Sequence, residues 1–207
     1  RIPWSHDYPT GERHFMQIMN EVTLLAPHIE ETNIHALNDP DLFRHPVAYM
    51  AEPGFWTLTD SEAASFRQYL EKGGFIFSSD YWGTRAGEQW DEEIGRVLPS
   101  DKYPIIDLPP EHPIWQSMFV VKTMPQMASI QYWRRSGGGI SERGEDSSIV
   151  EAKGIADAHG RLMVVMVHNS DIPDGWEREA EDPQYFYKFS PDAYSVGINV
   201  VLYALTH

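Results

Sequence analysis

Two apolar runs constrain this chain more than any other feature: Phe75-Ile76-Phe77, introduced by Gly73-Gly74, and Leu162-Met163-Val164-Val165-Met166-Val167. Neither run alternates with polar residues. A strand without alternation has no side to offer water, so it must be covered on both faces. A well-signalled helix precedes the first run. Thr59-Asp60-Ser61-Glu62 is a capping box, whose hydroxyl and carboxylate satisfy the free amides of a first turn. Ala63, Phe66 and Leu70 form its buried stripe, and Gly73 supplies a left-handed stop. Helix, glycine and buried strand together predict an α/β three-layer domain with a mostly parallel sheet and helices on both faces.

The remaining pattern adds elements around that unit. Phe15, Met19, Val22 and Leu25 recur at helical spacing from near Thr10, and Pro27 ends the run. Ile34-His35-Ala36-Leu37 and Val47-Ala48-Tyr49-Met50 read as short strands, separated by a turn at Asp39-Pro40. Trp90, Ile94 and Val97 predict a helix stopped by Pro99. Five prolines between Pro104 and Pro125 break any long element there. Ile130-Gln131-Tyr132-Trp133 reads as a strand, and Ser136 to Ser148 as an exposed loop. Ile149 to Ala156 and Leu162 to Val167 are two strands joined by a turn at Asp157-Ala158-His159-Gly160. After a long polar-aromatic connection, Ser190-Pro191 is expected to open a closing helix, with proline in its first turn. No repeat or low-complexity linker divides residues 1–207, so a single domain is expected.

Charge narrows the partners. The 207 residues carry 16 Lys and Arg against 31 Asp and Glu, a formal charge of -15. That field repels phosphate backbones and anionic membrane surfaces, so nucleic acid is not an expected partner. No window approaches a membrane span, so direct membrane insertion is not expected either. The absence of cysteine removes disulfides, thiolate ligands and thiol nucleophiles from consideration. The chain begins at Arg1 rather than Met, which suggests an upstream segment, with a signal peptide as one candidate.

In open α/β sheets, ligands bind beyond the carboxyl ends of the strands. Two polar turns follow the two best strands, Ser78 to Gly83 and His168 to Trp176. In the first, Ser79 or Asp80 could occupy a nucleophile elbow, although Phe77 and Tyr81 stand where the G-x-S-x-G pattern has glycine. The plain alternative is that Ser78 and Asp80 cap a local turn. In the second, His168 could be a general base held by Asp171 or Asp80, or simply a satisfied polar residue at a strand end. Asp171, Asp174 and Glu177 could bind a hard cation, but their spacing is not that of an EF-hand loop. His6, Asp7 and His14 form a possible transition-metal cluster without a supporting motif. No metal or cofactor is therefore expected. Trp4, Tyr81, Trp82, Trp133 and Trp176 lie in or beside predicted loops, where they could stack on a sugar or peptide or join the core.

A series of short motifs runs in order along the chain: Trp4-Ser5-His6-Asp7-Tyr8-Pro9, Leu42-Phe43-x-x-Pro46 leading to Tyr49, and Tyr69-Leu70-x-x-Gly73-Gly74-Phe75. They continue with His112-Pro113-Ile114, Asn169-x-Asp171-x-x-Asp174-Gly175-Trp176-Glu177 and Gly197-Ile198-Asn199. This series resembles the bacterial domain-of-unknown-function family 4159 over almost the whole chain. The resemblance implies a flavodoxin-like three-layer sandwich, similar to class I glutamine amidotransferases and to ThuA-like sugar-utilisation proteins. It also implies an extracytoplasmic domain carried behind a signal or anchor, and one further strand before the Asp7-Tyr8-Pro9 segment. The amidotransferase nucleophile and histidine would correspond to Ser79 or Asp80 and to His168. Without a cysteine, glutamine hydrolysis is not carried over.

The leading expectation is a non-catalytic domain that binds a small molecule, a sugar or a protein. Its candidate binding residues are Asp7, Tyr81, Trp82, Asn169, Asp171, Asp174 and Trp176. The alternatives are a hydrolase using Ser79 or Asp80 with His168, and a carbohydrate-associated domain of ThuA-like type.

Overall fold

A computed structural model describes residues 8–30 and 32–207. Its elements in chain order are α1 (Thr10–Val22), β1 (Val47–Ala51), α2 (Asp60–Glu71), β2 (Phe75–Ser79) and α3 (Gly83–Val97), then β3 (Ile105–Asp107) and α4 (Ile130–Ser136). They end with β4 (Glu151–Ala156), β5 (Leu162–His168), α5 (Asp174–Glu177) and α6 (Pro183–Thr206). Among the described residues no helix is long and apolar enough to cross a membrane.

The five strands form one sheet in the order β1-β2-β5-β4-β3. The two apolar runs lie side by side near its centre, with Ile76 opposite Val164 and Phe77 opposite Val165. Strand alternation sends their side chains into two cores. Phe75, Phe77, Val165 and Val167 meet Phe15 of α1, Trp176 of α5 and Val196 and Val200 of α6. Ile76, Val164 and Met166 meet Phe66 and Leu70 of α2 and Trp90 and Ile94 of α3. Helices therefore cover both faces of the sheet.

The sheet is mixed, which corrects the expected mostly parallel arrangement. β1, β2 and β5 are parallel, but β4 runs antiparallel to β5 and to β3. The reason lies in the linker. Residues 157–161 are too few for a crossover, and a short turn can only return the chain antiparallel. Asp157 builds that turn by accepting hydrogen bonds from the amides of His159 and Arg161, while Gly160 takes a φ of +84°.

Other expectations also change. Residues 34–37 pair with no strand. Ile130-Trp133 opens α4, because Ser129 caps it by accepting from the Tyr132 amide and Asp174 accepts from the Ile130 amide. The closing helix begins at Pro183, where Asp182 accepts from the amides of Gln184 and Tyr185, and Pro191 lies in its interior. The Asp182-Pro183 pair carries the same start signal as Ser190-Pro191, with an equally favoured cap residue. Beyond β1 the sheet has no further strand among the described residues.

The α2–β2 unit forms as its sequence dictates. Thr59 accepts from the Glu62 amide, and Glu62 accepts from the Thr59 amide at 2.8 Å. Gly73 has φ +109°. At Gly74 the constraint is a close approach: a methyl group there would stand 2.5 Å from the Tyr69 ring. That ring is fixed because its hydroxyl donates to the carbonyls of His45 and Phe75. Thr59→Ala is expected to lower unfolding stability in urea by about 1 kcal/mol. Gly74→Ala is expected to lower it by about 2 kcal/mol or more, because neither the ring nor the strand can yield. Equal midpoints for the two variants would contradict the packing role of Gly74.

Candidate functional site

The three parallel strands all point their carboxyl ends the same way, and each is followed by a non-glycine residue in the left-handed region. Glu52 follows β1 with φ 49°, Asp80 follows β2 with φ 62°, and Asn169 follows β5 with φ 63°. Among the described residues no other non-glycine residue has positive φ. Each such residue costs on the order of 1 kcal/mol. Glu52 is the most strained, because it precedes Pro53 and a pre-proline residue is driven toward extended backbone.

The turns after β2 and β5 hold one another. The Asp80 amide donates to the Ser170 carbonyl, and the Asn169 amide donates to the Tyr81 carbonyl, each at 2.9 Å. The Asn169 side chain accepts from the Gly83 amide at the start of α3 and donates to the Ile149 carbonyl. Asp146 completes that helix start by accepting from the Thr84 amide and hydroxyl. Trp82 donates its indole N–H to Asp80 at 3.0 Å. Ser79 and Tyr49 join their hydroxyls at 3.1 Å on the α6 side of the sheet.

α5 then brings acidic residues to the same end. Asp171 accepts from the Asp174 amide. Asp174 accepts from the Ile130 amide at 2.5 Å and from the Tyr185 hydroxyl at 3.2 Å, with the Arg178 guanidinium 3.6 Å away. Glu177 lies against Gly11, where a side chain would displace it. Burial pushes all four carboxyls up: Asp80 to about 8, Glu177 to about 9, Asp174 to about 6, and Asp171 well above the ordinary range. Mutual repulsion adds to this. Asp80 and Asp174 raise Asp171, and Asp174, Glu12, Asp80 and Glu52 raise Glu177. Asp174 rises least of the three with stated values because two hydrogen bonds support its anion. Among the described residues no three His or carboxylate groups are arranged to hold a metal ion.

The structure brings Asp80, Asn169, Asp171 and Asp174 into one neighbourhood and sends His168 elsewhere. His168 alternates with Val164 and Met166, so it faces α3, whereas Ser79 alternates with Phe75 and Phe77 and faces α6. The His168 Nε2–H donates to the Gly83 carbonyl, Nδ1 lies 3.4 Å from Glu151, and the ring stacks on Tyr81 at 4.6 Å. No hydrogen bond joins His168 to Ser79 or Asp80 among the described residues. Tyr81 is buried against Trp90, and Trp82 is 9% exposed. Trp176, at 6%, packs on Phe15 at 4.7 Å and over Gly197. These rings are core members and offer no open stacking face. Asp7, with Trp4 and His6, lies outside the described residues, and His14 donates to the Trp176 carbonyl.

Sequence reading missed Glu52, Glu12 and Tyr49. The available signal was positional: Glu52 is the first residue after a parallel strand, the place where Asp80 also stands.

The family model described as Domain of unknown function (DUF4159) matches residues 2–205. The chain belongs to the DUF4159 family. No curated protein matches it. Several residues that carried the resemblance to DUF4159 form joints of this architecture. Gly197 admits Trp176 and Phe15, and Gly175 admits Ala193. Asn199 accepts from the amides of Met118 and Phe119 and donates to the Phe119 carbonyl. His112 caps the turn at Pro113 by accepting from the Ile114 amide.

The raised carboxyls fix the sign of the pH dependence. Their folded pKa values exceed the unfolded ones, so the folded state binds more protons, and that stabilisation is complete below about pH 4. It is lost as pH rises through 6 to 9, where Asp174, Asp80 and Glu177 ionise. The melting temperature at pH 9 is expected to lie below that at pH 5.5 by on the order of 5 °C. Asp171→Asn is expected to reduce that gap. A flat profile across this range would refute the buried acid cluster.

Proposed function

We propose that this chain is a binding domain whose site is the acidic end of the three parallel strands, and that its ligand presents a cationic group such as an ammonium or guanidinium. The observation that carries the reading is convergence. Strained, non-glycine turns end three neighbouring strands and gather buried carboxyls at the end of an α/β sheet where ligands bind. An acid cluster that raises its own pKa values gains free energy when a cation enters, because the cation favours the ionised forms that burial disfavours. Helices on both faces and the sharp turn between β2 and α3 support kinship with class I glutamine amidotransferase-like domains, without the thiol. The partner would be a small molecule or a basic side chain of another protein.

A second reading rests on Asp80 itself. A left-handed residue between a strand and a helix is the geometry of a nucleophile elbow. A carboxyl raised to about 8 is protonated at neutral pH, so Asp80 would serve there as a general acid beside Asp171. This replaces the expected pairing with His168, which faces the other side of the sheet.

Thermal shift and calorimetry with matched ammonium, guanidinium, neutral and anionic probes separate the two. On the binding reading, cationic probes raise the melting temperature more at pH 8.5 than at pH 5.5. Asp171→Asn and Asp80→Asn remove the effect, since Asn also tolerates the left-handed turn. Equal response to probes of every charge would end the binding reading. Turnover of an ester, amide or glycoside panel that is lost in Asp80→Asn would establish the catalytic one.

A further inference from the structure

A second concavity lies at the other end of the sheet, where the chain enters β2. It encloses about 230 Å³ and is walled by Phe43, Arg44, His45, Tyr69 and Lys72, with the Gly73-Gly74 backbone as its floor. In a chain with 16 Lys and Arg against 31 Asp and Glu, one Arg and one Lys share this hollow with a His. We infer that this hollow is an oxyanion site that takes a phosphate group, either free or as a monoester.

The geometry supports charge and shape together. The Lys72 ammonium stands over the Phe43 ring, 5.1 Å from its centroid, which holds it at the wall. Arg44 is paired only loosely, 3.8 Å from Asp41 with both side chains mostly exposed, so its guanidinium fork is available to an incoming oxyanion. His45 also lines the hollow, and its ring packs on His35 with centroids 4.7 Å apart. The His35 Nδ1–H is already committed to Asp39 at 3.1 Å. Glu71, the nearest acidic residue of α2 in sequence, turns away: it accepts from the Tyr103 hydroxyl and lies 3.8 Å from Lys102. The Tyr69 hydroxyl is spent on two carbonyls. Fork, point charge and imidazole can address three oxygens of one tetrahedral group.

The groups around His45 make the site readable. Burial, His35 and Arg44 hold its pKa below the ordinary histidine value, and only Asp41 opposes them. Lys72 adds positive charge from α2. An anion in the hollow must raise that pKa, and histidine protonation must in turn strengthen anion binding.

The test is an NMR titration of the histidine ring protons in the full chain at fixed ionic strength, adding inorganic phosphate, glycerol phosphate or acetate. Phosphate is expected to raise the His45 pKa by about 0.5 or more, saturably. Lys72→Met and Arg44→Gln are expected to remove the shift, and Lys122→Met, at an exposed position that does not line the hollow, to leave it. Both residues are on the surface, so the fold survives their loss. A tighter response to glycerol phosphate assigns the site to phosphate monoesters, and an equal one to free phosphate. An identical shift with acetate, or a shift that persists in Lys72→Met, shows screening alone and overturns the inference. So does an unchanged His45.

Discussion

Two backbone hydrogen bonds carry the candidate site: Asp80 to Ser170 and Asn169 to Tyr81. They join the turns just past β2 and β5, whose left-handed backbone Asp and Asn tolerate better than other non-glycine residues. Left-handed backbone at Asp80 and Asn169 persists because each turn supplies the other's partner. Asn169 then fixes the start of α3, and Ser170 receives the Met127 amide and donates to the Pro125 carbonyl, which anchors the long proline-rich segment. Loosening either bond would release the floor of the site and the loop that borders it.

Elements with local signals were legible in the sequence. The capping box, the glycine pair and the two buried runs gave α2, β2 and β5 because each rests on dihedral limits or face coverage. The direction of β4 was legible too, in the short turn at Asp157, but the weight of the α/β pattern obscured it. Ile130-Trp133 failed because β-branched and aromatic residues fit a strand as well as a helix, and the Ser129 cap together with the distant Asp174 decides between them. In the site, position along the chain was readable and facing was not. His168 and Asn169 are neighbours, yet one faces α3 and the other ties the turn, since a step of one residue reverses a strand side chain. Glu52 was hidden because the proline after it argues against the very conformation it adopts.

The acid cluster also sets a balance between stability and use. Carboxyls that are buried together weaken the fold once ionised, and well-packed amides would hold it better. Such an arrangement fits residues kept for what they contact rather than for what they stabilise. Around them, Gly175, Gly197 and Asn199 provide the opposite: close contacts and fully satisfied hydrogen bonds that fix α5 and α6 under the cluster.

The sheet's outer margin at β1 bears on how the protein behaves in concentrated solution. Val47-Ala48-Tyr49-Met50-Ala51 carries no charge, no proline and no bulge, and its register with β2 is regular. Sheets usually guard such a margin with lysine, proline or a twist. The formal charge of -15 adds a repulsion between copies that does not depend on this margin. Screening shortens that repulsion to about 10 Å at 0.1 M salt and to about 3 Å at 1 M. Salt therefore weakens the repulsion between copies over distances that leave the buried interior untouched.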